Sequence, residues 1–72
     1  MNKLLTEREK NVLYYLTQGF TNVEIAKKLH ISVHTVKAHL EAIYEKLEVY
    51  NRVQAVTKSI LLGFVDLGSL VK

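Results

Sequence analysis

The chain has 72 residues, of which 49% are hydrophobic and 24% charged, and it carries a formal net charge of +3. A chain of this length has room for one domain, which we expect to span residues 1–72, and its apolar content is too high for a disordered polar tail. The absence of cysteine excludes disulfides and thiolate metal sites and suits the cytoplasm, and no apolar run approaches the roughly 20 residues that cross a membrane.

The first predicted helix has a recognisable signal at each end. Thr6, followed three residues later by Glu9, forms a capping box, and Gly19 is a typical helix stop. These signals predict a helix over about residues 7–18. The residues of its apolar face are Val12, Leu13 and Leu16.

Two further helices follow with a short connection between them. A second capping box, Thr21 with Glu24, opens a short helix that ends near Leu29. Ser32 is a favourable N-cap for a longer helix over about residues 33–47. The apolar positions at helical spacing are Ile25, Ala26 and Leu29 in the short helix and Val33, Val36, Leu40, Ile43 and Leu47 in the long one. Both stripes must face a core.

A fourth helix is predicted to begin at Asn51, with Gln54 in the capping-box position, and to stop at Gly63. We expect Phe64 and Val65 to fold back onto the core. The residues expected to point inward are Val53, Val56 and Ile60. The predicted fold class is all-α, a four-helix bundle that contains a helix-turn-helix motif.

The helix-turn-helix motif is predicted between Asn22 and Leu40. This interval contains a short helix, a turn of about three residues and a longer helix whose N-terminal half is polar on its outer side. Ala26 is small enough for two helices to cross closely. His30 occupies the turn, and histidine is among the residues that tolerate a positive φ.

Six short segments, spread over about residues 4–65, together form one spaced pattern. They are Leu5-Thr6-Glu7-Arg8-Glu9, Asn22-Val23-Glu24-Ile25-Ala26, Ile31-Ser32, Thr35-Val36-Lys37-Ala38-His39, Lys46-Leu47 and Asn51-Arg52-Val53-Gln54-Ala55. Together they resemble the LuxR/NarL/FixJ-type (GerE-like) DNA-binding domains. The resemblance implies a four-helix domain that binds DNA as a dimer, commonly on inverted half-sites. The chain departs from this pattern at Glu48, where glycine is usual, and at Glu41, where an acidic residue is less expected.

Four residues on the outer flank of the third helix are candidates to read DNA bases. A count of 100° per residue from the apolar stripe sets apart His34, Lys37, Ala38 and Glu41. The resemblance puts the family's major-groove contacts on the last three. Lys37 can donate to guanine or to a phosphate, Ala38 can touch a thymine methyl, and Glu41 can accept from cytosine.

A second group of residues is expected to contact phosphates. Residues 25–40 include lysines and histidines but no acidic residue, which predicts a basic surface around the motif. Thr21 and Ser32 cap helices whose free amides could meet phosphate oxygens, while the roles of Thr35 and Arg52 are implied by the resemblance. The predicted phosphate contacts are Thr21, Asn22, Lys27, Lys28, Ser32, Thr35, His39 and Arg52.

The fourth helix is predicted to form a homodimer. If the predicted inward face is correct, the opposite face carries Ala55, Ser59 and Leu62. The first two are small and four residues apart, which would allow a second helix to approach closely, and the leucine would gain by being covered. Ala55 and Ser59 also fit a plain solvated helix surface.

The predicted function is sequence-specific binding of double-stranded DNA in the major groove, with regulation of bacterial transcription initiation. No enzymatic activity, cofactor, metal or small-molecule ligand is expected, because His30 and His34 lack further ligands and no catalytic pair is present. The alternative is a protein-interaction module that contacts RNA polymerase or a partner regulator through Glu41 and Glu45. A start at Met1 with no linker remnant favours a whole protein over the effector half of a longer regulator.

Overall fold

The computed structural model describes residues 4–64, and this part of the chain contains four helices and no strand. The predicted all-helical fold is confirmed, and the third helix has the predicted bounds. The first ends one residue early, and the fourth begins one residue after its cap and ends before Gly63. The helices are α1 (Glu7–Thr17), α2 (Asn22–Leu29), α3 (Val33–Leu47) and α4 (Arg52–Leu61).

The starts of α1 and α2 are fixed by hydrogen bonds within four residues of sequence. The Glu9 amide donates to Thr6 Oγ1 at 3.1 Å, and the Thr6 amide donates to Glu9 Oε1 at 2.9 Å. Thr21 and Glu24 make the same reciprocal pair at 3.2 and 2.9 Å. Each box satisfies two amides that have no partner inside the helix, so the local sequence alone determines where these helices begin.

The ends of α2 and α3 both use a residue with left-handed backbone. His30 has φ of 58° and Glu48 has φ of 60°, and neither is glycine. This conformation brings the Ile31 amide to the Ala26 carbonyl oxygen and turns the chain out of the helix. The expectation that His30 tolerates the turn position is confirmed.

The core lies where α1, α2 and α4 meet α3. Its buried apolar residues come from all of these helices and from the segment before α1. They are Leu5, Val12, Leu13, Leu16, Ile25, Ala26, Val36, Leu40, Ile43, Leu47 and Ala55. Every apolar stripe predicted for the first three helices is therefore buried or packed against the core. No helix within residues 4–64 is long and apolar enough to cross a bilayer.

The predicted orientation of α4 is wrong. Val53 is 74% exposed, whereas Ala55 and Ser59 are fully buried. Small residues face inward because they let α4 approach its neighbours closely, and the Ser59 hydroxyl donates to the Val56 carbonyl oxygen at 2.8 Å, so its burial leaves no unmet hydrogen bond. Val56 and Ile60 are half-buried at the edges of this face.

Two predictions about the end of the chain change with this orientation. Ala55 and Ser59 lie in the interior, so they cannot form the predicted dimer surface without opening the fold. Leu62 is exposed, but it follows the last turn of α4 and does not continue a surface with those two residues. The Phe64 side chain is 42% exposed, so it does not fold back onto the core, and Val65 lies outside the described residues.

Candidate nucleic-acid interface

The helix-turn-helix consists of α2, the three residues 30–32 and α3. The Ile31 amide donates to the Ala26 carbonyl oxygen at 3.0 Å, which holds the turn against the end of α2. Ile25 and Val36 are fully buried beneath the turn and join the two helices into one unit. The turn has the predicted length, and its apolar anchors are the predicted ones.

α3 has one face in the core and one face in solvent. Val36 and Leu40 are buried, and the four residues predicted to read bases are all exposed. Those four are His34, Lys37, Ala38 and Glu41. Exposure is a requirement for base contact, and α3 is the helix that a helix-turn-helix inserts into the major groove.

Two of the predicted base-reading residues and two of the predicted phosphate contacts meet in a shallow cleft between the N-termini of α2 and α4 and the side of α3. Lys37 and Glu41 line its α3 wall, and Asn22 and Arg52 line the opposite wall. Leu40 and Tyr44 complete the lining. The tertiary structure thus brings together residues that are 30 positions apart in sequence.

Arg52 is held by three hydrogen bonds to the segment at the start of α2. Its Nη1 and Nη2 atoms both donate to Asn22 Oδ1, each at 3.2 Å, and Nη2 also donates to the Phe20 carbonyl oxygen at 3.0 Å. The predicted phosphate contacts Asn22 and Arg52 therefore bind each other. This contact fixes the first turn of α4 against the first turn of α2.

The cap residues of α2 and α3 are exposed, but their side-chain oxygens already accept hydrogen bonds. Thr21 Oγ1 accepts from the Glu24 amide. Ser32 Oγ accepts from the Thr35 amide at 3.0 Å and lies 2.9 Å from the Thr35 hydroxyl. A phosphate at either place would meet a hydroxyl that is held in a fixed position.

The lysines of α2 lie outside the cleft that Arg52 lines. Lys27 and Lys28 are exposed and border a separate hollow with Phe20 and Glu24. Lys28 Nζ lies 5.7 Å from the centroid of the Phe20 ring, within the range of a cation–π contact. His39 is half-buried. The predicted phosphate contacts are thus distributed over more than one surface.

Two features of this site were not predicted from the sequence. Tyr44 lines the cleft, and no pattern in the sequence singles it out. Arg52 was expected to contact DNA, and its fork onto Asn22 and the Phe20 carbonyl was missed. The sequence carries no signal for that fork, because its partners lie 30 and 32 residues away and one of them is a backbone atom.

Metal ligands do not converge anywhere in the described part of the chain. Within residues 4–64 no group of three histidine, aspartate or glutamate side chains is arranged to hold a metal ion. His30 lies in the turn and His34 in the first turn of α3, and both are exposed.

Comparisons with known proteins agree with this geometry. A family model described as "Bacterial regulatory proteins, luxR family" matches residues 3–59. The response regulator protein VraR of Staphylococcus aureus and that of Staphylococcus epidermidis are each 48% identical over 54 residues, which make up 75% of this chain and 26% of those proteins.

A solved structure, the response regulator ChrA of a heme-sensing two-component system, superposes with a TM-score of 0.83 at 44% identity. The match covers 86% of this chain and 31% of ChrA, so the chain spans about a third or less of the relatives it matches. The family match covers most of the chain and includes all of the helix-turn-helix. The chain belongs to the LuxR family of bacterial regulatory proteins and has the helix-turn-helix fold of response-regulator DNA-binding domains.

Proposed function

We propose that this chain binds a specific double-stranded DNA sequence through α3 and thereby regulates transcription initiation. The observation that carries the proposal is the exposed flank of α3 beside the cleft. It offers a cation at Lys37, a small surface at Ala38 and an acceptor at Glu41, within one helical turn of each other. These are the donor, apolar and acceptor groups that distinguish base pairs in the major groove.

Residues around this flank would position the domain on the DNA backbone. Thr21, Ser32 and Thr35 lie at the starts of α2 and α3, where hydroxyls and backbone amides can donate to phosphate oxygens. Lys27 and Lys28 add positive charge on the surface of α2. Such contacts supply affinity and orientation, and the base contacts supply sequence preference.

We also propose that the protein acts on DNA as a homodimer, through the exposed face of α4. Val53 and Leu61 are 74% and 79% exposed, lie two turns apart and line one groove together with Tyr50 and Thr57. Glu48, Gln54 and Lys58 border the same groove. A second copy on an inverted half-site would cover this face and double the number of bases that are read. Because the face is small, we expect the dimer to form mainly on DNA.

The domain is proposed to extend over residues 1–72 and to act in the bacterial cytoplasm, where its DNA ligand is found. A direct contact with RNA polymerase would be compatible with DNA binding. Glu41 and Glu45 are both exposed on α3, so a module that binds only proteins through these acidic residues is the competing function.

Binding to duplexes selected from a random pool tests the proposal. We expect affinity to fall steeply with added salt, because each neutralised phosphate releases counterions. Lys37→Ala should weaken binding to the selected duplex by about 1–3 kcal/mol and should weaken binding to unrelated duplexes much less. Lys10→Ala, which removes an exposed lysine from α1, is the matched control and should change little. Failure to enrich any sequence, with no salt dependence, would favour the protein-interaction function instead.

A further inference from the structure

Among the predicted phosphate contacts, Arg52 is the side chain that is already hydrogen-bonded to distant parts of the chain. A guanidinium that binds a phosphate must have free donors that point outward. Arg52 is partly buried, and both of its terminal nitrogens already donate to protein acceptors at 3.0–3.2 Å. Three of the five guanidinium N–H donors are therefore directed at protein acceptors in the segment at the start of α2.

The Asn22 amide has one fixed orientation because of this contact. A guanidinium only donates, so the atom that faces it must be the amide oxygen, and two donors hold that oxygen at 3.2 Å each. The amide nitrogen then lies on the opposite side of Cγ. Within residues 4–64 that nitrogen makes no hydrogen bond, and it is not enclosed, so two N–H donors remain available to a ligand.

The position of Asn22 makes those donors useful. It is the first residue of α2, the helix that crosses the DNA backbone when α3 lies in the major groove. It also shares the cleft with Lys37 and Glu41, the proposed base readers. A donor held rigidly at this place would set the register of α3 relative to the phosphates.

We propose that Arg52 is a positioning residue for DNA binding, which acts by holding the Asn22 amide with its N–H donors toward a phosphate. This inference rests on the proposed DNA binding and replaces a direct phosphate contact of Arg52 with an indirect role. The bond to the Phe20 carbonyl adds rigidity by fixing the loop that precedes α2. A lysine could keep the charge but not the fork, because its single ammonium nitrogen cannot replace the two guanidinium nitrogens that hold the Asn22 oxygen and the Phe20 carbonyl.

A double-mutant cycle on the selected duplex tests this role. Arg52→Ala and Arg52→Lys should each weaken binding about tenfold, the worth of one hydrogen bond to a charged group. Asn22→Ala should weaken binding to a similar extent. Arg52→Ala should then cost nothing further in the Asn22→Ala background. Arg8→Ala and Arg8→Lys, at an exposed position on α1, are the matched controls and should bind as the unmodified chain does.

The possible outcomes separate this role from the others. If Arg52→Lys keeps full affinity, or if the losses at the two positions multiply, Arg52 contacts the phosphate itself and the inference is overturned. A purely structural role would lower the melting temperature while leaving the affinity of the folded protein unchanged, which also overturns it. If the unmodified chain shows no salt-dependent duplex binding, the proposed function fails and this inference fails with it.

Discussion

At the scale of single residues, two helix ends adopt the left-handed backbone conformation with residues that disfavour it. His30 and Glu48 both end a helix with φ near 60°. For a residue with a Cβ atom, this conformation costs about 1–2 kcal/mol relative to right-handed backbone. The fold accepts that cost because each residue turns the chain so that the next helix can pack.

Glu48→Gly should stabilise the protein. Removing the side chain relieves the left-handed strain, although glycine also gains entropy in the unfolded chain, so we expect a net gain of about 0.5–1 kcal/mol in the free energy of unfolding. Urea denaturation followed by circular dichroism measures it. Glu45→Gly is the control, since it removes the same charge from an exposed helical position and should cost about 1 kcal/mol. Equal losses for both variants would mean that Glu48 is not strained.

At the scale of helices, α4 shows that the direction of a helical face depends on its neighbours. Ala55 and Ser59 face the core and leave Val53 and Leu61 in solvent. An exposed apolar stripe on a regulatory domain is typical of an interaction surface. The corrected orientation therefore moves the proposed dimer face to the opposite side of the same helix.

Val53→Arg should abolish cooperative binding to a duplex with two half-sites and leave binding to one half-site intact. Val53 is 74% exposed, so an arginine fits without unfolding the chain, while two copies facing each other would bring like charges together. Gel-shift titration of both duplexes measures the effect.

The control for this variant is Asn11→Arg, which adds the same charge on an exposed position of α1 and should keep cooperativity. Ala55→Arg, by contrast, should lower the melting temperature sharply, because it puts a charge into a fully buried site. Cooperative binding by the Val53 variant would mean that the two copies meet elsewhere.

At the scale of the whole molecule, an ion pair ties the N-terminal segment to the end of α3. Lys46 Nζ lies 2.7 Å from Glu9 Oε1 and donates to the Leu4 carbonyl oxygen at 3.2 Å. Burial raises the pKa of Glu9, but the hydrogen bonds from Lys46 and the Thr6 amide, together with the lysine charge, outweigh it and hold the pKa below its ordinary value of 4.5.

Glu9→Gln should make the protein less stable at neutral pH and remove part of its acid sensitivity. The pKa of Glu9 is lower in the folded chain than in the unfolded one, so its contribution is complete above pH 4.5 and is lost as the pH falls through the folded value. Glutamine keeps the capping acceptor and loses the charge, so we expect a loss of about 1 kcal/mol at pH 7 that shrinks toward zero in acid.

Thermal melts at a series of pH values measure this difference. Glu7→Gln is the control, because Glu7 is 89% exposed and pairs with Lys10 at 3.6 Å, so it should have almost no effect at any pH. A constant difference between the Glu9 variant and the unmodified chain at all pH values would show that the charge of Glu9 does not matter.

The sequence by itself determined where the helices lie in the described part of the chain and which face of α3 enters the core. Capping boxes such as Thr6 with Glu9 act over three residues, so they need no tertiary contact to be recognised. The stripe from Val36 to Leu47 is continuous, and only one face of α3 can bury it. The exposure of Lys37 follows from the same stripe.

Only the tertiary structure decided which face of α4 is buried and what Arg52 contacts. Apolar residues lie on both sides of α4, so periodicity allows either side to be the buried face. The close approach of α4 to α1 and α3 selects the side with the small residues Ala55 and Ser59 over the side with the bulkier Val53. The fork of Arg52 depends on where the start of α2 lies in space, and the ion pair of Glu9 depends on where α3 ends. Such contacts join residues 30 or more positions apart, and the packing of the core brings them within reach.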